Sequence, residues 1–481
     1  MNPDQLKNQH LLWRAGFGPM AEEYHQLASA STSAYVNALF KASAKAPVYI
    51  DIAGTAVQGL TTGIIELSKQ SKKELTPEKR RQLRAQSRQQ IRNLNLTWLD
   101  EMVNSEQQLR EKMSLFWHGH FASRNINILY QQQLLGVIRR NALGSFADLL
   151  QEVSKSSSMI NFLNNNQNRK GHPNENFARE VMELFTLGRG HYSENDVKEA
   201  ARAFTGWGAT IQGEFVFRKF QHDDGLKTVF GKKGNFNGED VLQLLLDQKQ
   251  TALFITRKIY RFFVNETVDE HRVQTLADKF FQSNYNIGNL MKEIFSSEWF
   301  YDSKNMGCRI KSPVELLAGI QRVLPMKVEN KAILLLMQNL LGQILFYPPN
   351  VAGWPGGKNW IDSSSLMLRL RIPAMLFDTQ ELNLNPKTDD DQMMGNSDEM
   401  IKKPAGQKQL IKADIDWEKY TGKFSKIPRE ALLSSISKLL LQTPASVSAA
   451  AIEKYIDASS RENFIRSATI RLMSTPEYQL C

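Results

Sequence analysis

Cysteine is almost absent: Cys308 and Cys481 are the only two in 481 residues. That excludes a disulfide framework and a cysteine-built zinc site, so any metal would fall to His, Asp and Glu. Long apolar runs are missing too, and nothing approaches the roughly 20 apolar residues that span a bilayer. The opening MNPDQLKNQHLLWRAGFG has no charged segment followed by a sustained apolar core. No signal peptide is therefore visible, and the chain reads as cytoplasmic as written; a true start further upstream would leave export open. Motifs of several large enzyme classes are also lacking. There is no P-loop, no G-x-G-x-x-G behind a strand, no H-E-x-x-H and no G-x-S-x-G. No nucleotide cofactor is expected, nor zincin or α/β-hydrolase chemistry.

What is present is helical. Strand-like alternation is scarce, with GEFVFRKF (213–220) the best example. Helix starts recur. In TPEKRRQLRAQSRQQIR, Thr76 fits an N-cap and Pro77 the first helical position. Ser105 with Gln108, Ser193 with Asp196, and Ser312 with Glu315 have the spacing of capping boxes. DVLQLLLDQKQTALFITRKIYRFFV and HRVQTLADKFFQSNYNIGNLMKEIF repeat apolar residues at the helical period. The expected fold is mainly α: a multi-helix array or bundle with at most a small β-hairpin near 213–230. The organisation read from composition is a main helical domain over 1–380, a polar, Pro/Gly-punctuated linker or surface insertion over 381–412, and a C-terminal helical segment over 413–481 that packs on the main domain.

The positive charge is local. Residues 69–92 hold nine Lys/Arg against Glu74 and Glu78, a local +7 out of the chain's net +10. Arg81, Arg84, Arg88 and Arg92 fall on one helical stripe. Such a stripe suits phosphates or another anionic surface, and equally a solvated helix face. No nucleic-acid motif accompanies it, so nucleic acid is not expected as a partner.

Four stretches carry groups with chemistry. FWHGHF places His118 and His120 two apart. If the helix from about Ser105 stops at Gly119, His120 lies in extended chain and the imidazoles can converge; otherwise they are a helix cap and a half-buried hydrogen-bonded residue. In HPNENFAREVMELFTLG (172–188), Glu175, Arg179 and Glu183 suit a salt-bridge ladder. Glu180 and Glu183 share a face, which is one route to a metal site in helical proteins. In FQHDDGLKTVFG, His222, Asp223 and Lys227 sit in a turn that is either functional or plainly hydrophilic. Finally, LFYPPNVAGWPGGKNWIDSS sets Phe346, Tyr347, Trp354 and Trp360 in a rigid loop, either a stacking platform or a plug for a bundle end.

Read together, HLLWRAGFGP, KMSLFWHGHFAS, NENFAREVMELFTLGRGHYSENDVKEAARAFTGW, HDDGLKTVFG and LFYPPNVAGWPGGKNWI resemble, in order, the bacterial domain of unknown function 1800 family. The resemblance runs from about residue 8 to 375 and more weakly to PEYQLC. It implies that His118, His120, Glu175, Arg179, Glu180, Glu183, His222, Asp223, Lys227, Trp354 and Trp360 belong to one site. It brings no activity with it. Many members look exported and are often encoded beside a sulfatase-like exported protein, which implies such a partner and an envelope role.

Two functional classes follow. The first is a metal-assisted hydrolase or lytic enzyme acting on a polymeric or glycan-like substrate. It would bind one divalent ion (Zn, Fe or Mn) through His118, His120, His222, Asp223 and Glu180, because a bound ion lowers the pKa of its water. Glu183 would be its base, Arg179 and Lys227 its supporting groups, and Trp354, Trp360 and Tyr347 its substrate contacts. The second is a non-enzymatic binding or assembly protein of the cell envelope. There the His/Glu/Arg set is a structural network, and the aromatic loop or basic helix engages the partner.

Overall fold

Local capping chemistry sets several helix starts. Ser193 and Asp196 bond reciprocally to open the helix Glu194–Ala203. Ser312 and Glu315 do the same for Pro313–Val323, with Pro313 in the first turn. Pro77 begins the helix Pro77–Asn104. Ser105 departs from expectation. The helix Gln108–His120 has Gln107 as its N-cap, without a side-chain bond. Ser105 Oγ instead accepts the Gln107 N–H at 3.0 Å, and the Gln108 amide reaches back to the carbonyls of Met102 and Ser105.

The protein is seen in a computed structural model that describes residues 3–54, 77–210, 212–378 and 413–481. It is mainly α, 63% helical, with three small two-stranded sheets among the described residues. The expected hairpin region holds two antiparallel pairs, Trp207–Ala209 with Phe215–Phe217 and Lys227–Val229 with Lys232–Gly234. The third pair, Met326–Val328 with Ala413–Ile415, joins the segment after 413 to the body. A bridge between Ile310 and Leu480, and a bond from Gln9 Nε2 to the Leu439 carbonyl at 2.6 Å, tie that segment further. Thr76 and the expected linker over 381–412 lie outside the described residues. No helix among the described residues is long and apolar enough to cross a membrane.

Gln108–His120 is the central element. It packs against the helices Pro3–Ala15, Thr32–Ser43, Pro77–Asn104 and Ile128–Asn141. Every residue except Gly119 is buried. A helix surrounded by others is normally apolar all round, yet this one carries Arg110, Glu111, Lys112, His118 and His120. Buried charge is tolerated only when paired, and here it is. Arg110 donates to the carbonyls of Ser43 and Arg139. Glu111 receives Arg139 at 2.7 Å and the Trp98 indole N–H at 2.9 Å. Lys112 meets Glu315 at 2.5 Å, while the other oxygen of Glu315 caps the Ser312 N–H at 2.7 Å.

Candidate functional site

The histidine pair does not converge. The helix runs through His120 and is capped by Phe121, whose N–H bonds the Trp117 carbonyl at 2.8 Å. Residues two apart on a helix point roughly 200° from each other, so the two rings enter different surroundings. His118 lies among Trp98, Phe346 and Trp354, with ring centroids 5.1, 5.0 and 5.5 Å away. Its Nε2 accepts the Phe346 N–H at 3.1 Å. Burial pushes its pKa down to about 3, so the ring is neutral. His120 faces Phe121, Phe146 and Phe185. Its Nε2–H donates to the Phe185 carbonyl at 3.2 Å and its Nδ1 accepts from Lys258 Nζ at 2.9 Å. Burial, reinforced by the Lys258 charge, holds its pKa well below the ordinary histidine value.

Gly119 is not a helix terminator either. A Cβ on Gly119 would meet nothing within 4 Å, whereas one on Gly353 would lie 2.4 Å from the Gly119 carbonyl oxygen. Gly353 also has a φ of +82°. The aromatic loop therefore docks backbone to backbone on this helix, and glycine at 353 permits it.

The 172–188 segment is α-helical over Asn176–Glu180 and then π-helical over Val181–Thr186. The wider turn breaks the expected ladder. Arg179 does bridge Glu175 at 3.1 Å, but its second partner is Glu194 at 2.7 Å. Glu183 is engaged instead by the Tyr192 hydroxyl and, at 3.9 Å, by Arg189. Burial and then the Glu183 charge raise the pKa of Glu180. The link between this segment and the histidine helix is the Phe185 carbonyl, not a carboxylate.

The 220–231 turn closes on itself. His222 Nδ1–H donates to the Thr205 carbonyl at 2.9 Å, and its ring packs on Phe217. Arg202 grips Asp223 at 2.8 and 3.2 Å and holds its pKa down to about 2. Lys227 Nζ donates to the carbonyls of Asp223 and Gly225.

Several donors of the metal set expected from sequence, His118, His120, His222, Asp223 and Glu180, are engaged by other groups in this arrangement. A coordinating nitrogen needs a free lone pair. His118 Nε2 and His120 Nδ1 already accept N–H bonds, and Asp223 is chelated by Arg202. Among the described residues, no group of three or more His, Cys, Asp or Glu side chains is placed to hold a metal ion.

The aromatic loop and the basic helix, read separately from sequence, meet. Phe346 and Trp360 are buried, while Tyr347 and Trp354 are half-buried. Arg124 places its guanidinium 5.4 Å from the Tyr347 ring centre. Burial raises the Tyr347 pKa, and the charges of Arg124, Arg92 and Arg88 act against that rise. Burial and the Arg88 charge lower the pKa of both Arg92 and Arg124. Arg124 thus lies on the phenol ring and the charges of Arg88 and Arg92 reach it, in a loop that also carries Trp354. Arg81 and Arg84, earlier on the same helix, are exposed.

Sequence reading missed Arg124, Glu111, Arg139 and Lys258. Arg124 stands just beyond FWHGHF in the chain, but only the fold brings it to Tyr347. Lys258 is a lysine on an amphipathic helix, with no local sign that burial pushes its pKa down to about 8.

The fold and this face define a helical protein with a buried polar spine and an arginine–aromatic surface. The profile described as "Protein of unknown function (DUF1800)" matches residues 10–480, and the chain belongs to that family. Neither a curated protein nor a solved structure matches the chain.

Proposed function

We propose that this protein binds an acidic glycan or similar anionic polymer and acts as a binding or assembly protein of the cell envelope. One observation carries the reading: Arg124 lies over the Tyr347 ring, and the charges of Arg88 and Arg92 act on the same phenol, in a loop that also holds the half-buried Trp354. Guanidinium groups match carboxylate and sulfate oxygens in a planar, bidentate way. Aromatic faces stack on the less polar faces of sugar rings. A strip holding both suits a polymer with acidic groups on a saccharide backbone. The exported sulfatase-like partner implied by family resemblance fits the same chemistry, because sulfate esters carry such anions. The hydrolase reading needs the His118, His120 and Asp223 donors, which are engaged within the fold.

Binding to polygalacturonate and heparin, measured by affinity electrophoresis, tests this. Retardation is expected, weakening as salt is raised because exposed charges are screened. Arg88→Ala with Arg92→Ala should abolish it, and Trp354→Ala should weaken it. Equal binding by the variants would overturn the reading, as would preference for single-stranded nucleic acid.

A further inference from the structure

A second cleft lies between the helices Ile128–Asn141 and Phe146–Lys155 and the turn at Gly213, with a volume of about 360 Å³. None of its lining residues belongs to the arginine–aromatic face. We infer that it is a binding site for a neutral saccharide unit of one or two rings, with Tyr49 as the stacking platform.

The ring of Tyr49 is held in place. Its hydroxyl accepts from Gln132 Nε2 at 3.1 Å. Its edge lies on the helix at Gly136, where a Cβ would come within 2.8 Å of the ring. Glycine is unfavourable inside a helix relative to alanine, and here it makes room for that ring. Tyr49 is nevertheless 50% exposed. A fixed, half-exposed aromatic face at the edge of a cleft is an amphipathic surface of the kind that meets ligands with one apolar and one wet side.

The other walls expose more apolar than polar surface, and the charged groups among them are nearly neutral in sum. Arg140 is paired with Glu152. Lys155 is paired with Glu239 at 2.9 Å and rests over the rings of Trp207 and Phe215. With each cation matched by a carboxylate, no surplus charge favours a phosphate or an acid. Planar guanidinium, carboxylate and amide groups, the last from Gln133, are suited to bridging neighbouring hydroxyls. Ser157 lines the cleft, is only 3% exposed, and its Oγ has no hydrogen-bond partner among the described residues. A buried hydroxyl left unpaired is costly, and this one lies sealed beneath the cleft surface. The volume sits at the low end of the roughly 300–1,000 Å³ typical of small-molecule sites, which limits the occupant to one or two rings.

Saturation-transfer NMR on the full chain with cellobiose, maltose and chitobiose tests the site, with methyl phosphate and adenosine as controls. Transfer to at least one disaccharide is expected. Tyr49→Ala should lower the affinity about tenfold, and Gln133→Ala, which removes an amide from the cleft wall without touching Tyr49, should lower it as well. Both variants should keep the parent's circular-dichroism spectrum, because Tyr49 and Gln133 border solvent. No transfer from any disaccharide would overturn the inference. So would unchanged binding in both variants, or a stronger response from adenosine or methyl phosphate.

Discussion

Acidification from pH 7 to pH 5 is expected to destabilise the fold through three buried imidazoles, His10, His118 and His120. Each titrates near 6.5 in an unfolded chain. In the fold, burial pushes His10 and His118 down to about 3 and His120 well below its ordinary value. Through this window the unfolded state therefore binds more protons than the folded state. The sign follows: stability is present above about 6.5 and falls as pH drops toward the folded pKa values. For an imidazole that stays neutral in the fold, the loss between pH 7 and pH 5 is about 2 kcal/mol, and about 6 kcal/mol for three. That is comparable with the roughly 5–15 kcal/mol that holds a domain folded. Asp223 near 2 and Lys258 about 8 titrate outside this window, while Lys311 at about 7 finishes protonating within it and adds a small loss of the same sign. Urea unfolding followed by tryptophan fluorescence at pH 7, 6 and 5 reads the effect as a falling midpoint. His118→Gln, with no proton to gain, should remove about one third of the fall. A midpoint unchanged between pH 7 and pH 5, or a variant with the parent's full pH dependence, would refute the reasoning.

Glu315→Gln should cost about 3–5 kcal/mol, the usual result of removing one partner from a buried ion pair. It would leave Lys112 and Arg309, now 2.5 and 3.7 Å from the carboxylate, buried without their counter-charge; a chemical melt checks it. Elemental analysis of the purified protein should find no stoichiometric zinc, iron or manganese held by the histidines. One equivalent lost in His118→Ala or His120→Ala would show that these rings leave their present hydrogen bonds to bind metal.

What could be read from the sequence was local. The boxes at Ser193–Asp196 and Ser312–Glu315 formed because both partners lie within one turn and compete with nothing else. The Ser105–Gln108 box has the same spacing, but Gln108 is drawn back onto the carbonyls of Met102 and Ser105. The histidine pair failed for a related reason. Glycine after His118 looks like a stop, yet the turn continues and the cap falls at Phe121. The π-helical turn at 181–186 leaves no pattern at the 3.6-residue period, and it sends Glu183 to Tyr192 rather than Arg179. The stripe of Arg81, Arg84, Arg88 and Arg92 and the aromatic loop were each legible. Their meeting at Tyr347 was not, since it depends on how distant segments pack.

The buried polar helix has a consequence for that surface. Arg139 neutralises Glu111, and Glu111 in turn holds the Trp98 indole N–H. The Trp98 ring meets His118 edge to face at 5.1 Å, and His118 Nε2 holds the Phe346 N–H where the aromatic loop begins. Phe346 has a φ of +69°, an uncommon left-handed conformation for a bulky residue. Such a conformation persists when surrounding contacts over-determine it. The next residue is Tyr347, over whose ring Arg124 lies, and glycine at 353 lets the loop's other limb approach the Gly119 carbonyl closely. The histidine that looked like a ligand from sequence thus acts as an anchor. It must stay neutral to accept the Phe346 N–H, and burial against Trp98, Phe346 and Trp354 keeps it so. A surface loop rich in glycine and proline would otherwise sample many shapes at an entropic cost to any ligand. Fastening it at both ends to a rigid central helix presents Tyr347 and Trp354 in one arrangement before a ligand arrives.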